Sequence, residues 1–235
     1  ISCRCLPPFF EHKTRIAYSK IESVKSHDEI VHPAVRGVLQ YLKMDQGLEI
    51  HHDGDLPART GLGSSSAFTV GLLHALHALR QAVPNKMELA KEAIHVEQQI
   101  LKESVGCQDQ VIAAHGGFLR VDFFTNDEIR ITPILMSQNQ LAELQNHLLL
   151  YFTGISRNAS EIAKEQIQHV KERATVLKEM YQMVGEAVSV LTRGNDLSEF
   201  GSLLHESWKL KRSLSDSIST PMVNEIYEAA RNAGA

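Results

Sequence analysis

The chain has 235 residues, 43% of them hydrophobic, enough apolar material for one large domain or two small ones. Its 24 basic and 28 acidic residues give a net charge of −4 with no basic block, which excludes the electrostatic footprint of a nucleic-acid or anionic-membrane binder. Cys3, Cys5 and Cys107 are too few for a disulfide framework and favour a reducing, cytoplasmic setting; no apolar run reaches the roughly eighteen residues of a membrane span.

In chain order, Ile1 to Leu6 and Arg15 to Val24 read as two strands paired in a hairpin across Pro7-Pro8-Phe9-Phe10. His32-Pro33 opens a helix to about Lys43, with His32 as its cap and Val35, Val38, Leu39 and Leu42 as its apolar stripe. Leu48 to Leu56 is a further strand. Its His51-His52-Asp53 run invites a metal reading, which the alternation of strand side chains argues against.

After Pro57 come Gly61-Leu62-Gly63-Ser64-Ser65-Ser66-Ala67 and an apolar helix from about Ser65 to Arg80. Glycines let the backbone turn tightly and expose its N–H groups, and a helix start adds unpaired N–H donors and a positive dipole end. That is phosphate-binding chemistry. Other glycine motifs fit worse: no lysine follows Gly63 as a P-loop requires, Ser66 stands where a dinucleotide loop has its third glycine, and Ala67 replaces the last glycine of a hydrolase elbow.

A second helix, Met87 to Leu101, carries Glu97 on the stripe of Ala90, Ala93, Ile94, Ile100 and Leu101. The residues alone leave two places open for it, an interior where a carboxylate needs a partner or the edge of the stripe in water. Gly106-Cys107-Gln108-Asp109-Gln110 leads to a short helix, Val111 to Ala114, where Asp109 would either stabilise the helix dipole or do chemistry. Phe118–Phe124 and Ile129–Leu135 form a hairpin, and Gln138–Asn146 a helix. His147–Thr153 is a strongly apolar strand leading through Gly154-Ile155-Ser156-Arg157 to helices over 158–191, 197–214 and 221–233. The change from mixed to helix-rich sequence puts a domain boundary at 145/146.

Three patterns together carry a resemblance: Pro57-x-x-x-Gly61-Leu62-Gly63-Ser64-Ser65-Ser66-Ala67; Glu97 ahead of Gly106-x-Gln108-Asp109-Gln110; and Thr153-Gly154-x-Ser156-Arg157-x-Ala159-Ser160. The chain resembles the GHMP small-molecule kinases, and within them the sugar-kinase branch typified by heptose 7-phosphate kinases. The resemblance implies an α+β, two-domain fold. Residues 1–145 would be an ATP-binding domain like the second domain of ribosomal protein S5, and residues 146–235 a ferredoxin-like, helix-rich domain.

It further implies that Pro57, Gly61, Leu62, Gly63, Ser64, Ser65 and Ser66 hold ATP, that Ser65 and Glu97 hold Mg2+, and that Asp109 is the catalytic acid–base facing the sugar hydroxyl. Arg157, by its place in the matching loop, would grip the phosphate of a sugar phosphate. The expected reaction is γ-phosphoryl transfer to a sugar or sugar phosphate, with the anomeric hydroxyl of D-glycero-D-manno-heptose 7-phosphate foremost. The alternative is a non-catalytic sensor binding ATP and sugar. No nucleic-acid or membrane partner is expected, and a homodimer is compatible. The family pattern also has a substrate-contacting strand and loop before the position of Ile1 and a Gly-rich loop near its end. Neither is in these residues, so a kinase chain lacking both ends is expected.

Overall fold

Strand pairing at the start of the chain only partly follows sequence neighbourhood. In the computed structural model, which describes residues 1–55, 61–154, 163, 167, 169–193 and 196–235, β1 (Ser2–Cys5), β2 (Thr14–Ala17), β3 (Ile21–Val24) and β4 (Leu48–His51) form one sheet in the order β1-β4-β2-β3. The expected hairpin of the first two strands is therefore corrected: β1 pairs antiparallel with β4, and β4 runs parallel to β2 between them. The stretch from Arg15 to Val24 is itself a hairpin, turned at Tyr18–Lys20, where the Tyr18 N–H donates to the Lys20 carbonyl at 2.8 Å.

Register sorts the sheet's two faces, since neighbours along a strand point opposite ways. Cys3, Ile50 and Ile16 stand in one row, and Ile16 and Ile50 are fully buried. The adjacent row is Arg4, Glu49 and Arg15 on the opposite face. There Glu49 accepts hydrogen bonds from Arg4 and Arg15, with His51 beside it, and these three hold its carboxyl down to about 2. Charge-assisted bonds favour the ionised form.

Helices α1 (Pro33–Tyr41) and α2 (Ser64–Leu79) cover the apolar face, burying Val35, Val38 and Leu39 from one and Leu72, Leu73 and Leu76 from the other. His32 caps α1 as its sequence suggests, Nδ1 accepting from the Val35 N–H. Helix α3 (Lys86–His95) starts with a full capping box, Asn85 to the Glu88 N–H and Glu88 back to Asn85. It does not continue as an α-helix to Leu101. Val96–Ile100 form a π-helical turn, closed by Leu101 N–H to Val96 O at 2.9 Å. Helix α4 (Gln108–His115) begins three residues earlier than the apolar run suggested.

The described residues divide into two compact units, Ile1–Gly117 and the residues from Phe118 on. Strands β5 (Leu119–Phe123) and β6 (Ile129–Pro133) make a sheet of their own and do not join the four-stranded one. The second unit adds α5 (Gln138–Asn146), α6 (Ala174–Arg193), α7 (Ser198–Arg212) and α8 (Pro221–Asn232). The strand expected over His147–Thr153 is not formed among the described residues: residues 148–152 pair with no described strand, and Leu149 is 91% exposed. An apolar run satisfies the propensity of a strand but does not supply the neighbouring edge that makes one. No helix among the described residues is long and apolar enough to cross a membrane.

Candidate active site

The start of α2 is built to leave donors open. Gly63 takes the N-cap position in the left-handed region, φ +69°, with no side chain to cap the helix. The first backbone bond of the ladder runs from Ala67 N–H to Gly63 O at 2.9 Å, so the N–H groups of Ser64, Ser65 and Ser66 precede it. At α1, α3, α5 and α8 a side chain from the preceding residue occupies that place. Here an anion could occupy it instead.

Asp109 stands against this turn. It lies in the first turn of α4, exposed, with Cγ 3.1 Å and Oδ2 3.2 Å from where a Cβ on Gly63 would be. Glycine at 63 thus meets two requirements at once, a positive φ and room for a carboxylate. Residues 46 apart in sequence are brought together because α2 and α4 pack in one unit.

Glu97 is inside, 1% exposed. The π turn carries it, and the same turn ties down the loop that leads to α4. The Gln98 amide donates to Val105 O at 2.9 Å and to Cys107 Sγ at 3.4 Å, while Glu97 O accepts from the Glu103 N–H at 3.0 Å. A π turn inside a helix inserts one residue and is common at functional positions. The Glu97 carboxylate receives Ser66 Oγ–H at 3.0 Å and the Gln110 amide at 2.5 Å, both on Oε2. Oε1 is equally buried and has no hydrogen-bond partner among the described residues.

A buried carboxylate with one oxygen saturated and the other open suits a cation, because burial of charge without a partner is costly and Mg2+ takes oxygen ligands. The residues therefore fit the metal expected at Glu97. The serine hydroxyl on that carboxylate is Ser66, whereas Ser65 is exposed and its carbonyl accepts from Thr69 Oγ1 at 3.2 Å. Gly61, with φ +79°, and the exposed Leu62 sit ahead of this turn. Pro57 and Arg157 lie outside the described residues.

His51 and His52 separate as strand alternation requires. His51 faces Glu49, and His52 meets the Phe68 ring edge-on at 4.9 Å. His32 also contacts the Phe68 ring, at 4.9 Å between centroids, and burial lowers its proton affinity, with the Glu22 carboxylate opposing that effect and His52 adding to it. Gln110 is the residue that sequence reading passed over. Its signal was there: one helical turn before Ala114 and next to Val111, it shares their buried face, as Glu97 shares the stripe of α3.

Residues 29–117 match the family model described as the GHMP kinases N terminal domain. The chain is 29% identical over 203 residues to a D-glycero-alpha-D-manno-heptose 7-phosphate kinase of Campylobacter jejuni, covering 85% of the chain and 59% of that protein. It is 28% identical to a mevalonate kinase of Pyrococcus abyssi, covering 93% of the chain and 62% of that protein. Among solved structures, a D-glycero-D-manno-heptose 1-phosphate kinase from Bacteroides thetaiotaomicron superposes with a TM-score of 0.68 at 25% identity, covering 90% of the chain and 66% of that structure. The chain thus spans about three fifths of these two curated relatives.

Proposed function

We infer, from a chain that carries a GHMP kinase N-terminal domain, that it belongs to a sugar kinase moving the γ-phosphoryl group of ATP to a hydroxyl of a sugar or sugar phosphate. The observation that carries this reading is the juxtaposition of Asp109 with the uncapped turn at Gly63. A phosphate held on the N–H groups of Ser64 to Ser66 would lie beside a carboxylate able to take a proton. Phosphoryl transfer asks for that: positioned donors for the phosphate oxygens and a base for the nucleophile, with little covalent chemistry.

In the step itself the sugar oxygen forms a bond to Pγ as the bond from Pγ to the bridging oxygen breaks, and the electron pair leaves on ADP. Asp109 accepts the hydroxyl proton as the oxygen loses its hold on it. Mg2+, held by Glu97 with a hydroxyl of the serine turn, would neutralise charge on the β- and γ-phosphates. The acceptor proposed is D-glycero-D-manno-heptose 7-phosphate at its anomeric hydroxyl, with Arg157 on its phosphate. The name of the Campylobacter relative supports that choice.

A substrate screen tests it. Protein containing this chain with its natural flanking sequence should consume ATP only with Mg2+ and with heptose 7-phosphate in preference to mannose, fucose, arabinose or galactose. Faster turnover of one of those sugars reassigns the acceptor, and binding without turnover makes the protein a sensor. Asp109→Asn should lower kcat by about a hundredfold or more while nucleotide still binds. Near-normal turnover in that variant removes Asp109 as the base.

A further inference from the structure

Three segments meet at the Glu97 carboxylate: α2 through Ser66, the π turn that bears Glu97, and α4 through Gln110. Both donors fall on Oε2, and Oε1 is left for something else. With two donors converging on one oxygen, the plane of the carboxylate is set and the other oxygen is the acceptor that remains open. Charge also fixes the Gln110 amide, because turning it round would set its oxygen against the carboxylate.

That arrangement has a cost which packing does not repay. The Gln110 Oε1 is buried without a partner among the described residues, and an unpaired acceptor in the interior is unfavourable where an apolar side chain of the same length would not be. The amide is therefore explained by what it does to Glu97. We propose that Gln110 is a positioning residue: its N–H pins Oε2 and so aims Oε1 at the cation that accompanies the nucleotide. The inference rests on the kinase reading of the site. It also adds a link to that reading, since Gln110 is the neighbour of Asp109 and successive helical side chains diverge by about 100°. The first turn of α4 presents one side chain to the glycine turn and the other to the buried carboxylate.

The test is Mn2+ binding, followed by electron paramagnetic resonance, to the full protein with a non-hydrolysable ATP analogue. Gln110→Met keeps the length and loses the donor; Gln110→Ala provides a second variant should the first not fold. Each should weaken Mn2+ about tenfold or more, the scale on which groups that orient a metal ligand act. Binding of the analogue in chelator, without metal, should be unchanged. A variant that weakens both bindings equally shows a merely structural role and overturns the proposal. Mn2+ affinity equal to the parent's also overturns it, and Glu97→Gln then separates the cases: if Glu97→Gln loses Mn2+, the metal reading stands and only the role of Gln110 falls; if it too binds as before, both fall.

Discussion

The two units reach different interiors, and their helices differ in composition: α2 is the most apolar of those described, whereas α7 and α8 are more polar. In the first, Val35, Val38, Leu72, Leu73 and Leu76 are completely shielded, and the sheet supplies Ile16, Leu48 and Ile50 to the same cluster. In the second, Leu144, Leu191 and Ile218 are the buried apolar residues among those described, and α7 and α8 bury none. Helix α8 has its polar and apolar residues well segregated, yet Met222 stays 52% exposed. An amphipathic pattern makes a helix; shielding needs an opposing surface as well. The site's Glu97 and Asp109 belong to the first unit, where rigid packing can hold side chains to fractions of an ångström.

The widest separation between the units should come from truncation. Leu73→Ala should cost about 2–5 kcal/mol in urea unfolding of the first unit, the range for emptying a fully packed position. An equal loss from Leu149→Ala, at a side chain 91% exposed, would break the contrast. Hydrogen exchange sharpens it: amides of β4 and α2 should exchange at least about a hundredfold more slowly than those of α8, since apolar burial sets the cost of local opening.

Local interactions should not distinguish the units. The capping boxes at Asn85 and Ser137 have the same geometry, so Asn85→Ala and Ser137→Ala should each cost about 1 kcal/mol, read by the same unfolding titration.

Acid probes the first unit more finely. Burial chiefly, with help from Lys13, lowers the His27 value below its ordinary 6.5; its two ring nitrogens are engaged by Thr14 and Met44. The folded state then resists protonation, so this contribution is whole above 6.5 and is lost as pH falls below it. His27→Gln should flatten unfolding midpoints between pH 7.5 and 5.5. Glu49 acts lower, its share present above 4.5 and lost as pH drops towards 2, and Glu49→Gln should remove that limb. The smallest effect expected is Leu149→Ser, within about 0.5 kcal/mol of the parent.

Local signals in the sequence were good guides where the structure they report is local. His32-Pro33 marked α1, the 138–146 helix has the expected bounds, and the serine run marked the start of α2. Long-range facts were hidden. Nothing in Ser2–Cys5 says that its partner is β4, because pairing is chosen by the assembled sheet. Nothing in Leu148–Phe152 reports that no strand among the described residues pairs with it. The π turn was invisible for another reason: it changes the helix by one residue, less than periodicity over fifteen residues can register. Asp109 and Glu97 were singled out by the family resemblance, whereas the hydroxyl that meets Glu97 could not be chosen among three adjacent serines.

The empty side of Gly63 has a genetic consequence. Every other amino acid that its codon could come to specify brings a Cβ, and a Cβ here would stand 3.1 Å from the carboxyl carbon of Asp109 on a backbone already at φ +69°. Gly61, two codons earlier, shares the positive φ, but a Cβ on it would meet nothing within 4 Å among the described residues. Asparagine, which tolerates that conformation, could therefore replace it. A saturating survey of alleles should find position 63 less tolerant of missense change than position 61.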